Sequence, residues 1–361
     1  MLSQIPKVMH ALYGKPLIGH VLDAIQGAGV GRIIAVVGYR SELVRSHLGP
    51  SVEMVVQKSL RGTAHAVLRA KSRLQGFSGD VVVLYGDTPL ITSQTVEGLI
   101  NAHRREEAVC TMLTAVLKEP TGYGRVVRDH TGQIVRIVED ADATPMEKQI
   151  EEINVGAYCF DGRRLFSVLR QIKPAPSGEY YLTDAIALLV RQGVRIASAS
   201  TRSVGEFLGI NTRADLARVQ TVMRTRILEQ FMLSGVTMVD PYTTYIYQGT
   251  QIGQDTVIFP NTIIEDHVVI GRGCQIGPFC RLGPGTRLGN HVRIGSFVDV
   301  SQGVRIGNDA VVAPGTVLTG PMALARGAKT VPGSVLVGKS DREPPLTVVR
   351  VPRDHDLARG A

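Results

Sequence analysis

The chain has no tryptophan, and only 5% of its residues are aromatic. Basic runs interleaved with stacking rings, which mark a nucleic-acid binder, are missing. Its four cysteines, Cys110, Cys159, Cys274 and Cys280, show no CxxC spacing. That argues against a zinc site and for a reduced, cytoplasmic protein. No stretch approaches the roughly 20 apolar residues of a membrane span. Residues 1–20 carry Lys7 and Lys15 and no long apolar core, so no signal peptide is expected there. The net charge of +8 is spread without clusters, a field suited to small anionic substrates. At 361 residues the chain is long enough for two domains.

What is present begins with alternation. Apolar runs at 32–37, 51–56 and 81–84 read as strands, and 16–26, 41–48, 63–74 and 94–105 as helices. Strand–helix alternation of this kind predicts an α/β, Rossmann-like, mostly parallel sheet. The run Val81-Val82-Val83-Leu84 reads as a strand buried on both faces. Tyr85-Gly86-Asp87 ends it, at the carboxyl end where ligands bind in open α/β sheets. Asp87 is there either a ligand for a cation held against phosphate or a cap for the next turn. From Cys110 the pattern changes: strands at 110–117, 124–128, 134–138, 153–160 and 194–199, and helices at 163–169 and 183–191, read as α+β material over the mouth of the sheet. A long helix over 214–233 reads as a connector.

From Thr250 an aliphatic residue recurs every six positions, from Ile252 through Ile276 and Ile294 to Leu318, with a small or β-branched residue two places earlier. This period marks a hexapeptide solenoid, an all-β parallel β-helix in which the aliphatics stack inside each coil. The register weakens over Pro321–Lys329, and 340–361 reads as a Pro- and charge-rich tail. The expected domains are 1–212, a connecting helix 213–234, the β-helix 235–339 and the tail.

Eight segments in order, IPKVMHALYGKPL, QKSLRGTAHAV, LYGDTPLI, PTGYGRVVRD, RIVEDADAT, EEINVGAY, GEYYLTDAI and GINTRADL, resemble the uridyltransferase domain of the bacterial bifunctional N-acetylglucosamine-1-phosphate uridyltransferase/glucosamine-1-phosphate acetyltransferase family. The solenoid is similar in type to the left-handed β-helix of that family's second domain. The resemblance implies a nucleotidyltransferase fold and transfer of a uridylyl group from UTP to N-acetylglucosamine-1-phosphate, with Mg²⁺ as cofactor. It implies that Lys7 meets phosphate and that Gln57, with the backbone at Gly62 and Thr63, reads uracil. Tyr85 and Gly86 would line the nucleotide site, and Asp87 and Asn211 would hold Mg²⁺. Gly124, Glu139, Asn154 and Thr183, with Tyr181 nearby, would cradle the sugar. Taken singly, Lys7 reads as a solvated lysine, Asn154 as a turn former and Glu139 as a surface acid; their joint order favours the site. The partners implied are the two substrates and, through the β-helix, two further copies in a homotrimer.

Two segments depart from the family. Its opening strand and Gly-rich phosphate loop, of the form LAAGxGTRM, are not in this sequence, and Met1 aligns with the last residue of that motif. On this reading Met1 is internal to a longer protein. The 361-residue chain is then expected to expose two strand edges and a cavity, and to be unstable and inactive. In the solenoid, GPFCRLGPG keeps Arg281 but has Gly283 where a second basic residue is expected, Ser301 stands where a Lys is expected, and HLTY- and NYDG-like segments are missing. Acetyl transfer is therefore not expected, and His267 and His291 read as structural or exposed. The alternatives are a nucleotidyltransferase using dTTP or GTP on another hexose-1-phosphate, residual acetyl transfer on glucosamine-1-phosphate, or a non-catalytic nucleotide-sugar-binding protein.

Overall fold

The computed structural model describes residues 1–201, 204–338 and 348–349. They form two compact units, Met1–Val219 and Gln220–Ala361. The division falls inside the long helix Arg213–Leu233 rather than at its start. Apart from 348–349, the tail assigned to 340–361 lies outside the described residues.

In the first unit the elements are α1 (Leu17–Gly27), β1 (Ile33–Val37), α2 (Ser41–Leu48), β2 (Val52–Val56), α3 (Thr63–Arg69), β3 (Asp80–Val83), α4 (Ser93–Arg105), β4 (Cys110–Val116), β5 (Arg125–Arg128), β6 (Ile134–Val138), β7 (Glu152–Asp161), α5 (Gly162–Leu169), α6 (Asp184–Arg191), β8 (Ile196–Ser200) and α7 (Arg213–Leu233). The expected alternation is present, with boundaries shifted by a residue or two except that the helix expected over 63–74 is α-helical only to Arg69 and continues as a 3₁₀ turn over Ala70–Arg73. Strands β1 and β2 pair in parallel, as do β4 and β8. The ten-residue β7 is the organiser of the larger sheet. It runs antiparallel to β4 on one side, while its other edge takes β3 at one end and β5 at the other. The later strands thus enter the same sheet as β3 rather than forming a cover over its mouth.

Strand β3 also differs from expectation. Among the described residues it has a partner, β7, on one edge only, and all four of its residues are half-buried. Strands β1 and β2 form a separate two-stranded sheet. Ile34 and Val36 of β1 and Val81–Val83 of β3 line a cleft of about 1140 Å³ together with Val67, Leu74 and Ile100. Both strands line it with apolar side chains, which accounts for their partial exposure.

In the second unit, from Tyr245 on, short strands recur every six residues and pair in parallel with the strand eighteen residues on, so three strands make one coil. This is the left-handed parallel β-helix expected from the hexad. Of the twelve aliphatics in register, eleven are buried and Ile252, at the first coil, is half-buried. The register runs one step further than the sequence suggested: Leu324 is buried, and Ala323–Leu324 pairs with Arg305–Ile306. From Thr256 to Thr316 the position two places before each aliphatic is also interior. Several of its polar side chains donate to a carbonyl of the next coil, Thr256 Oγ1 to Gly271 (2.9 Å), Cys274 Sγ to Gly289 (3.2 Å) and Cys280 Sγ to Gly295 (2.9 Å), whereas Thr262 Oγ1 is buried without a partner. These buried thiols act as threonine-like donors, and burial raises their pKa. Corners of the coil take the left-handed conformation. His267 (φ 58°) and His291 (φ 55°) are such corners, exposed, each ring lying over a glycine one coil earlier, Gly249 or Gly273. Arg281 is held by Glu265 (2.8 Å) and Asp299 (3.2 Å) on adjacent coils.

Candidate active site

Three segments far apart in sequence are brought to one point at the edge of the cleft. Lys7 opens a short 3₁₀ turn after Pro6, closed by the Met9 N–H bonding the Pro6 carbonyl. Asp87 follows β3, in a turn pinned by Thr88 Oγ1 donating to the Tyr85 carbonyl (2.8 Å). Asn211 immediately precedes α7. There Thr212 and Asp215 form a reciprocal cap: Thr212 Oγ1 accepts from the Asp215 N–H (3.1 Å) and Asp215 Oδ2 from the Thr212 N–H (2.8 Å). The same carboxylate accepts from the Asn211 N–H, and the Ile210 N–H bonds the Asp87 carbonyl (3.2 Å). This lacing sets the Asn211 side chain beside Asp87.

The Lys7 ammonium donates to Asp87 Oδ2 and, at 2.9 Å, to Asn211 Oδ1. Two oxygens, one of them anionic, therefore converge on one cation. A carboxylate and an amide oxygen with room for water suit a hard divalent ion, so the donor set fits a magnesium-type metal. Among the described residues no group of three or more His, Cys, Asp or Glu forms a second candidate centre.

Deeper in the cleft lie Gln57, Thr63, Tyr85 and Gly86. Gln57 ends the run after β2 and is buried. Its Nε2 donates to the Gly62 carbonyl (3.3 Å) and to His65 Nδ1 (2.9 Å). The carbonyl can only accept, so it fixes which end of the amide faces inward and leaves Oε1 available to a ligand N–H. Gly62 (φ 92°) opens α3, and a Cβ there would meet the Tyr180 carbonyl oxygen at 2.5 Å, so glycine is required. Tyr85 is half-buried, loss of water around its hydroxyl pushes its pKa up to about 12, and its ring packs where a Gly156 side chain would be. Its hydroxyl stays protonated near neutral pH.

A second cluster forms where β5, the segment after β6, β7 and the start of α6 meet. Thr183 Oγ1 donates to Glu139 Oε1 at 3.0 Å. A Cβ on Gly124 would lie 3.4 Å from Glu139 Oε2 and 3.7 Å from Asn154 Cβ. Burial raises the Glu139 pKa, with the Thr183 hydrogen bond opposing it. Tyr181 stands apart: its hydroxyl shares a 3.2 Å hydrogen bond with Ser177, and no hydrogen bond among the described residues ties it to this cluster.

Sequence reasoning missed three contributors. His65 holds Gln57, and it sits three residues into the helix that Gly62 opens. Tyr158 bonds Asn154; it lies four residues on in the same strand, and the irregularity at Gly156 between them brings its hydroxyl within reach, which no local pattern indicates. The third is a pair: Arg125, only 2% exposed, donates to Asp140 Oδ1 (2.9 Å) and to the Tyr123 carbonyl, while its Nε is buried without a partner. Gly124 and Glu139 are their chain neighbours, so the pair fixes the spacing of both. Asp140→Ala would strand a buried guanidinium. The expected cost is about 3–5 kcal/mol, read from the urea midpoint at unchanged m-value.

The nucleotidyl transferase family matches residues 2–205, and the bacterial transferase hexapeptide (six repeats) matches residues 249–284 and 285–320. Among curated proteins, the chain is 44% identical over 254 residues to a bifunctional protein GlmU of Halalkalibacterium halodurans and 43% identical to that of Pelotomaculum thermopropionicum. Each alignment covers 70% of this chain and 56% of the relative, so the chain spans little more than half the length of these proteins. Among solved structures, an apo UDP-glucose pyrophosphorylase matches with a TM-score of 0.52 at 16% identity, over 62% of this chain and 91% of that one, a likeness of fold.

Proposed function

The chain belongs to the nucleotidyl transferase family, and from that premise we propose that it transfers the uridylyl group of UTP to N-acetylglucosamine-1-phosphate, giving UDP-N-acetylglucosamine and pyrophosphate. The observation that carries the reading is the convergence of Lys7, Asp87 and Asn211 at the edge of a cleft that Gln57 and Tyr85 also line. Similarity to the bifunctional GlmU proteins supports the choice of substrates.

In the reaction a phosphate oxygen of the sugar phosphate attacks the α-phosphorus of UTP. A new P–O bond forms, the bond to the β-phosphate oxygen breaks, and pyrophosphate leaves. The attacking oxygen is already ionised near neutral pH, so no general base is required. What remains is positioning and charge neutralisation. Asp87 and Asn211 would hold Mg²⁺, which supplies positive charge to the phosphates. Lys7 adds a second positive charge beside it. Gln57 Oε1 accepts from the base, and Glu139 accepts from the sugar while Thr183 fixes its orientation. The β-helix would join copies into a homotrimer, and the protein would act in the cytoplasm as a supplier of cell-wall precursor; no helix among the described residues is long and apolar enough to cross a membrane.

Calorimetry tests the reading. UDP-N-acetylglucosamine with Mg²⁺ is expected to bind more tightly than dTDP-glucose or GDP-mannose, and equal or reversed affinities would overturn it. Because burial raises the Glu139 pKa, this carboxylate takes up a proton at a higher pH than an exposed glutamate. Affinity for the sugar nucleotide should therefore weaken on acidification from above the usual carboxylate range. In Glu139→Gln the affinity should be lower throughout and that pH dependence should be gone.

A further inference from the structure

Asn154 is held by two hydrogen bonds that both fall on its side-chain oxygen. Its side-chain oxygen accepts from the Gly156 N–H (3.2 Å) and from the Tyr158 hydroxyl (2.9 Å). A backbone N–H can only donate, so the atom facing it is Oδ1, and Tyr158 must spend its one hydroxyl proton on Asn154. Tyr158 is fully buried. Burial raises its pKa well above that of a free phenol, so the hydroxyl keeps this proton near neutral pH.

The amide's other end, Nδ2, has no hydrogen bond within the described residues and is not among their buried unpaired atoms. Gly156 permits the arrangement: at φ 83° it forms the irregularity in the β7–β4 ladder between Met112 and Thr114, and a side chain there would strike the Tyr85 ring at 2.6 Å.

We propose that Tyr158 is a positioning residue whose hydroxyl locks the Asn154 amide with Oδ1 inward, so that Nδ2 is presented as a donor to an acceptor oxygen of the N-acetylhexosamine. This rests on the reading of Asn154 as part of the sugar site. Without the Tyr158 proton, one of two bonds holding the amide is lost and the flipped rotamer, which would present an acceptor to the sugar, becomes accessible.

Tyr158→Phe removes one oxygen and keeps the ring, and the test uses it in the full chain. Calorimetry with UDP-N-acetylglucosamine is expected to show about a tenfold loss of affinity, with affinity for UTP unchanged. In an Asn154→Ala background the same substitution should have no further effect on sugar-nucleotide affinity. Hydrogen exchange at the Gly156 amide should quicken at least several-fold, because a flipped Asn154 no longer accepts from it. Unchanged sugar-nucleotide affinity in Tyr158→Phe, or a parallel loss for UTP with a falling melting temperature, would overturn the inference and leave Tyr158 as packing. If the unsubstituted chain binds no sugar nucleotide, the functional reading fails by itself. Exchange at Gly156 then decides alone whether Tyr158 holds Asn154: faster exchange supports the lock, and unchanged exchange rules it out.

Discussion

Extending the chain ahead of Met1 by a strand and Gly-rich loop of the form LAAGxGTRM is expected to raise its melting temperature and to bring about pyrophosphate release from UTP and N-acetylglucosamine-1-phosphate. The physical basis is the cleft that β1 and β3 line. Both strands are half-buried, and they belong to separate sheets. A strand placed there would join the two sheets and bury Ile34, Val36, Val81 and Val83. Burying apolar side chains contributes about 1.5–3 kcal/mol each when complete, and ordering each added residue costs about 1–2 kcal/mol. A net gain of a few kcal/mol corresponds to a rise of about 5–10 °C for a unit of this size. The loop after the strand would lie by Lys7 and Asp87 and supply backbone N–H donors to the triphosphate. Preorganised donors of this kind are worth on the order of 10²–10³ in rate, so the extended chain should turn over at least about a hundredfold faster. Equal rates and equal melting temperatures for the two chains would refute this.

Asp87→Ala, made in the extended chain, carries the second large effect. Among the described residues Asp87 is the one carboxylate that Lys7 meets beside Asn211, so its removal leaves an amide oxygen and no charge facing that point to hold a divalent ion. The expected loss in kcat is about 10³-fold, the scale of removing a main electrostatic stabiliser. Mn²⁺ binding, followed by electron paramagnetic resonance, should be lost in parallel, while UDP-N-acetylglucosamine should still bind without metal through the Gln57 and Glu139 clusters. Retained Mn²⁺ binding with kcat within about threefold of the parent would remove Asp87 from the metal site.

Much of the architecture was legible before the fold was seen, and the reasons differ between the units. In the β-helix every hexad repeats one local decision, an aliphatic inward and a corner in the left-handed region. The period of Ile258, Ile264 and Ile270 is therefore the structure itself. In the first unit, strand and helix positions followed from apolar runs and turn residues. The pairing did not. That β7 takes β4 on one edge and both β3 and β5 on the other depends on contacts between residues 28 to 81 positions apart, and no local pattern encodes it.

The candidate site shows the same division. Its residue types and order, Lys7, Gln57, Asp87, Glu139, Asn154 and Asn211, could be read along the chain, because the chemistry of phosphate, uracil and sugar recognition restricts which side chains serve. Their orientations were decided only in three dimensions. Lys7 meets Asp87 because a turn after Pro6 and a capped helix starting at Arg213 both close on the end of β3. Asn154 presents one end of its amide because the Gly156 N–H and the Tyr158 hydroxyl both donate to its oxygen. Hydrogen bonds between residues distant in sequence are directional and follow packing, so the sequence determined which groups are available and the tertiary structure determined which way they point.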